Sequence, residues 1–282
     1  MTDGKQLCLT LDLENDWYFE EPGYDHLTLA HLDEFIRLIR RIDVPLSVFV
    51  VGKTLERYPE AIDRLATELD CEFHLHSYRH ETDDSHDFRT ELRLGKEAFA
   101  DHFGRDPVGY RAPYGDIDPA HFPVLAEEGF VFDSSVFPSY RPGVYNNLTV
   151  SVEPYVPEGL SGPLEIPIGV FRGLRIPISQ NYLKLFGTPL VRLLSVAPLP
   201  NTLVYNVHLQ DIYRTDSHDR LSGVKKHIIN RNLSNSETVL EKGVTRLRSN
   251  GYEPTTMTAI AARNGHDPTT STARDHEPPS HH

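Results

Sequence analysis

Short strand-like runs alternate with helix-like stretches along most of the chain, and this alternation restricts the fold more than any other feature. Gln6 to Asp12 alternates in the period of a strand. Leu27 to Ile42 then places Leu32, Phe35, Ile36 and Ile39 at the three-and-four spacing of an amphipathic helix. Leu46 to Val51 reads as a buried second strand, Pro59 to Leu69 as a helix, and Cys71 to Phe73 as the start of a third strand. Phe88 to Phe103 is helical and closed by Gly104. Val108 to Arg111 is strand-like, and Asp118-Pro119 supplies an N-cap and a first-turn proline for a helix reaching Glu128. Phe130 to Phe132 is a strand, Tyr182 to Val196 a helix, and Thr202 to Val207 a further strand. A capping box at Ser234 to Glu237 opens a helix to about Arg248, and Gly251-Tyr252 starts a last strand. Repeated strand-then-helix units predict a parallel sheet with right-handed crossovers, either a barrel or an open doubly wound sheet.

The pattern breaks between Pro138 and Pro177, where prolines and glycines crowd. This irregular excursion is expected to wall a cleft, since Leu164 to Ile168 is too apolar for a solvated spacer. Thr82 to Asp87 reads as a polar loop, and from Asn264 onward the polar composition predicts a disordered tail that includes His281 and His282. The expectation is therefore one domain over residues 1–263 and a tail over 264–282. A chain of 282 residues can bury a core that needs no disulfide. Cys8 and Cys71 fall in strand-like runs and read as small buried residues, which suits a reducing compartment. No apolar run approaches the roughly 20 residues needed to cross a bilayer, and Met1 to Gln6 is polar, so a cytoplasmic protein without a membrane span is expected. The formal net charge of −13 argues against a nucleic-acid backbone or an anionic membrane as partner.

Chemistry concentrates in Phe73 to His80, where His74, His76 and His80 follow a strand-like run. Zinc holds imidazole nitrogens at about 2.0–2.1 Å, so His76 and His80, four apart at a strand exit, can converge on one ion. His74 shares the face of His76 in a strand and is either a reserve ligand or a filler of the interior. Elsewhere, polar groups also cluster where apolar runs finish: Asp12, Glu14 and Asp16, then Arg111, Asp133 and His208. Each alone has an ordinary explanation, such as a helix cap for Asp12 or Asp133, an ion pair for Arg111, or a satisfied core histidine for His208. In parallel α/β folds, however, ligands bind outside the carboxyl ends of the strands, and these ends share one rim.

Five short segments in order, Thr10-Leu-Asp12-Leu-Glu14, His76-Ser-Tyr-Arg-His80, Arg111-Ala-Pro-Tyr-Gly115, Asp133-Ser-Ser135 and Val207-His208-Leu209, resemble the motifs of the NodB-homology polysaccharide deacetylases, carbohydrate esterase family four. The resemblance runs from about Leu7 to Leu247. The Asp-x-Glu form of the first segment looks most like a branch of peptidoglycan-deacetylase-like proteins and related imide or amide hydrolases. The resemblance implies a distorted (β/α) barrel of about seven parallel strands. It also implies a divalent metal, usually zinc with cobalt, manganese or nickel as substitutes, held by one carboxylate and two histidines. Carried over by position, His76 and His80 are ligands, Asp12 is the general base oriented by Arg111, and the backbone N–H of Tyr114 faces the oxyanion. His208, tethered by Asp133, is the general acid.

The common family pattern has two adjacent aspartates where this chain has Asp12 and Leu13. Residues two apart share a strand face, so Glu14 is the expected third ligand, with Leu13 turned to the core and Asp16 as fallback. The implied reaction is hydrolysis of a carbon–nitrogen amide bond in an N-acetylated carbohydrate or a small amide. A cyclic amide or ureide, as in allantoinase-like relatives, and a catalytically silent sugar-binding barrel are the alternatives.

Overall fold

The computed structural model describes residues 4–16, 23–80, 87–159 and 162–267. Eight parallel strands build the main sheet: β1 (Lys5–Leu13), β2 (Leu46–Val50), β3 (Cys71–Leu75), β4 (Gly109–Tyr110), β5 (Phe132–Asp133), β6 (Leu164–Glu165), β7 (Thr202–His208) and β8 (Tyr252–Pro254). β1 pairs with β7 along one edge. Its other edge is divided, with Leu9 to Leu13 on β2 and Lys5 to Leu7 on β8. The order then runs β2, β3, β4, β5, β6. Beyond β6, Ile168 bridges in parallel to Val204 of β7, so the sheet curls back on its beginning. The result is the distorted (β/α) barrel that the family resemblance implies, and of the two sheets the strand-helix alternation allows it is the closed one.

Among the described residues the α-helices are α1 (Leu32–Ile42), α2 (Gly52–Arg57), α3 (Pro59–Glu68), α4 (Phe88–Phe103), α5 (His121–Glu127), α6 (Gln180–Phe186), α7 (Thr188–Leu193), α8 (Gly223–Asn230), α9 (Ser236–Ser249) and α10 (Met257–Arg263). Strand alternation sorts side chains into two cores. Leu7, Leu9, Leu11 and Leu13 face outward, where Phe35, Ile39, Leu240 and Val244 of α1 and α9 share one apolar cluster with them. Burying each such side chain stabilises by about 1.5–3 kcal/mol. The intervening residues face inward, and at the bottom of the barrel Cys8, Phe49, Phe132 and Val204 meet Met257 and Ile260 of α10, a helix the sequence reading did not include. Cys8 is buried, Cys71 is half-buried, and both are free thiols.

Other differences from the sequence reading have local causes. The first predicted helix begins as a 3-10 turn at Leu27–His31, because the Thr28 backbone N–H and hydroxyl both donate to the Asp16 carboxylate. The stretch from Tyr182 to Val196 divides into α6 and α7 at Gly187, whose φ of 64° precedes Pro189. No capping box forms at Ser234 to Glu237; a 3-10 turn at Leu233–Asn235 leads into α9 instead. The excursion from Pro138 to Pro177 is less irregular than expected. It contains β6, which belongs to the barrel, and a hairpin pairing Tyr140–Arg141 with Tyr145–Asn146. Most of the Thr82 to Asp87 loop and most of the C-terminal tail, including His281 and His282, lie outside the described residues. No helix among those described is long and apolar enough to cross a membrane.

Candidate active site

The upper half of the barrel interior is polar. Asp12 and Glu14, two apart at the end of β1, both look inward, while Leu13 is buried in the outer core. The Glu14 Oε2 lies 2.5 Å from His80 Nε2 and 3.3 Å from His76 Nε2. One ligand atom from each of these three residues falls within 4.8 Å of the others. His76 Nδ1 is 2.7 Å from the Arg111 carbonyl, which can only accept, so Nδ1 carries a proton. A neutral His76 therefore turns the lone pair of Nε2 toward Glu14, and two acceptors face one another. A cation between them satisfies both, so the residues present fit a divalent metal of the kind bound by two imidazoles and a carboxylate.

Local backbone chemistry holds these histidines in place. β3 delivers His76, after which Ser77 takes a left-handed φ of 64°. The first amides of α2 meet this turn: Gly52 donates to the Ser77 carbonyl and Lys53 to that of Tyr78. The Glu91 carboxylate of α4 accepts from the Arg79 backbone N–H and pairs with its guanidinium. Gly95 lets α4 approach this closely, because a Cβ there would lie 2.9 Å from the Leu75 side chain and 3.2 Å from the Tyr78 nitrogen.

Asp12 sits beside this centre at the meeting point of three donors. Arg111 Nη1 reaches its Oδ1 at 2.5 Å, Asn206 donates to Oδ2 at 3.0 Å, and His208 Nε2 is 3.5 Å from Oδ2. Burial alone would push the carboxyl up, but the charge of Arg111 and the bond to His208 hold it below the usual carboxylate range. Arg111 is itself fixed by Thr10, by the Ser134 carbonyl and hydroxyl, and by the Phe49 ring, whose centroid is 3.9 Å from its guanidinium carbon. Glu14 is likewise pushed up by burial and held well below its ordinary value, chiefly by His80 and His208.

His208 does not meet Asp133. Its Nδ1 is 3.0 Å from Asp211, whose other oxygen accepts from the buried Lys184 at 2.9 Å. Burial disfavours the His208 imidazolium, but the charge of Glu14 and the bonds to Asp12 and Asp211 raise its pKa well above the ordinary value. The expected tether from Asp133 is corrected by strand phase. Phe132 faces the barrel interior, so Asp133 faces outward, toward Ser135 and Glu165. Asp133 accepts from the Ser135 hydroxyl at 2.7 Å, and that hydroxyl accepts from the Ala112 amide, so Asp133 braces the segment after Arg111. Asp211 and Asn206 were absent from the sequence reading. Asn206 was recoverable, since it shares the inward face of His208 two residues away; Asp211 follows His208 by three and had no motif to mark it.

The remaining expected residues separate cleanly. Tyr114 lines the cleft in a left-handed turn with φ of 60°, its ring 4.5 Å from that of His80. Asp16 does not approach the histidines; it accepts from Thr28 and Ser217, and burial raises it to about 6. His74 fills the interior between Phe49 and Phe132, with Nε2 2.9 Å from Glu72. The cleft above the centre has a volume of about 250 Å³, and Phe137, Arg141, Tyr145 and Tyr182 wall it.

A carboxylate, two imidazoles and the Asp12–His208 pair thus meet at the carboxyl ends of the strands of a curled parallel barrel. The family model described as polysaccharide deacetylase matches residues 20–132, which include His76, His80 and Arg111. No curated protein matches it in sequence. Among solved structures, a Mycobacterium smegmatis protein provisionally described as a polysaccharide deacetylase is similar at 18% identity and a TM-score of 0.61, over 100% of this chain and 96% of the other. The allantoinase PuuE is similar at 16% identity and 0.56, over 91% and 89%. A family-four pseudoenzyme from Bacillus anthracis is similar at 12% and 0.55, over 93% of this chain and 66% of its own. Likeness at these identities establishes the fold.

Proposed function

We propose that the protein is a metal-dependent hydrolase that removes acetyl from an N-acetylated sugar, with Glu14, His76 and His80 holding the ion. The observation that carries this reading is the convergence of those three ligand atoms within 4.8 Å, beside an ionised Asp12 and a His208 kept basic. When bound, a divalent ion such as zinc supplies polarisation of the amide carbonyl and lowers the pKa of its water from about 15.7 toward about 7.

The chain's own groups supply the rest. Asp12, held ionised by Arg111, takes a proton from the attacking water. The Tyr114 backbone N–H, presented by its left-handed turn, faces the developing oxyanion. His208 donates from Nε2 to the departing nitrogen, a step that matters because an amine anion is a very poor leaving group. Asp211, paired with Lys184, fixes the proton on His208 Nδ1 and so orients the ring. Phe137, Tyr145 and Tyr182 offer aromatic faces to a sugar.

The test is acetate release from N-acetylglucosamine oligomers by zinc-loaded protein, run beside ring opening of allantoin. Acetate release that falls about 10²–10⁴-fold in Asp12→Asn is expected. Ring opening without acetate release would favour the cyclic-amide alternative, and neither activity in metal-loaded protein would favour a silent barrel.

A further inference from the structure

A second cavity lies between α7 and α9, on the outside of the barrel, and shares no lining residue with the catalytic cleft. Its volume is about 450 Å³, and three cations line it: Arg192 of α7, with Lys242 and Arg246 of α9. Among the described residues no Asp or Glu lines it, although the chain has 41 acidic residues against 28 Lys and Arg. The cause is a sorting of charge around α9. Its acids Glu237 and Glu241 turn toward α1, where both pair with Arg41, at 3.5 Å and 2.6 Å. Asn235, Thr238, Lys242 and Arg246 recur at the three-and-four spacing of one helix face, and that face meets α7.

Like charges four apart on a helix repel, and Lys242 with Arg246 is such a pair. Arg192 brings a third positive charge from the facing helix, and among the described residues neither Arg192 nor Lys242 has an ion pair. Arg246 is anchored without being neutralised: its Nη1 donates to the Ser195 hydroxyl at 3.1 Å. Asn235 and Thr238 add an amide and a hydroxyl, and the Asn235 side chain makes no capping bond to α9. The apolar lining is Val191 and Val239, with no aromatic ring to receive a sugar face or a base.

We infer that this cavity binds a phosphate-bearing anion, whose oxygens Arg192 and Arg246 grip while Lys242 adds charge. A planar guanidinium meets two phosphate oxygens at once, whereas an ammonium acts as a point charge. The volume falls within the range of small-molecule sites, roughly 300–1,000 Å³, so there is room for the organic part of an ester against the two valines. The bound dianion relieves the repulsion among the three cations.

The test is titration calorimetry of the metal-loaded full chain with glycerol 3-phosphate, inorganic phosphate and glycerol, at an ionic strength held constant with potassium chloride. At least one of the two anions is expected to bind, and glycerol is not. Arg192→Ala should weaken that binding about tenfold or more, and Lys242→Ala by less. Both side chains are exposed, so neither substitution disturbs the core. Arg37→Ala, which removes an exposed arginine of α1, should change affinity less than about twofold. Tighter binding of glycerol 3-phosphate than of phosphate supports the site and identifies an ester as its ligand; equal affinity supports it and identifies free phosphate. Binding of neither anion overturns the site. So does binding that survives Arg192→Ala and Lys242→Ala together, the result expected if the anion sits on a metal in the catalytic cleft instead.

Discussion

Asp12 and Asp133 are both buried aspartates near the ends of parallel strands in one sheet, yet their surroundings drive them to opposite states. Asp12 ends β1 facing inward, where Arg111 and His208 outweigh the cost of burial and keep it ionised. Asp133 ends β5 facing outward, where burial pushes its carboxyl up and the neighbouring acid is Glu165. Glu165 is raised well above its ordinary value by burial and by the charge of Asp133. One residue of strand phase thus separates a charge available for chemistry from a brace that positions the Ala112 backbone through Ser135.

The comparison can be broken most severely at Arg111. Arg111→Leu leaves the Asp12 carboxylate buried without its cation, and a loss of about 3–5 kcal/mol in urea unfolding is expected, together with loss of activity. Removing the Asp211 charge instead perturbs the orientation of His208 and takes a carboxylate from the buried Lys184 ammonium. Asp211→Asn should lower kcat by about 10–100-fold while KM changes little. Equal stability of Arg111→Leu and the unaltered protein would show that Asp12 does not need its cation.

Stability against pH sharpens the contrast, because the two aspartates act with opposite signs. Asp12 has a depressed folded pKa, so its contribution is present above its ordinary value of 3.8 and is lost as the solution becomes strongly acid. Glu165 is raised, so from its ordinary value of 4.5 upward the unfolded chain releases a proton that the folded pair keeps. Stability then falls as pH rises, by at most about 1.4 kcal/mol per pH unit, until the folded pair ionises. Glu165→Gln should flatten that alkaline decline in thermal melts across pH 5 to 8, with little change in activity at neutral pH.

The strand-helix alternation made a parallel sheet with outer helices legible, because period-two and period-3.6 patterns survive wherever one face is buried; the family resemblance, not the period, distinguished the barrel from an open sheet. The same rule put Asp12 and Glu14 on the inner face and Leu13 on the outer one, as observed. At β5 the same rule turns Phe132 inward and Asp133 outward, so the tether of His208 that the resemblance implies falls to Asp211 instead. Short strands such as β6 carry too few residues to show a period, so its place in the barrel was hidden among prolines and glycines. α10 was missed because its seven residues follow directly on β8 and its role depends on Ser47 and Glu72, which accept from the amides of Met257 and Thr258. Asp16 and Glu14 were separable only in three dimensions, once the Thr28 amide and hydroxyl were found to occupy Asp16.

Metal content separates these two acids most directly. Elemental analysis of purified protein after zinc loading and desalting should find about one equivalent in the unaltered chain and in Asp16→Asn, and close to none in Glu14→Ala. Full occupancy in Glu14→Ala with loss in Asp16→Asn would contradict the site described here, and with it the account of how this barrel works.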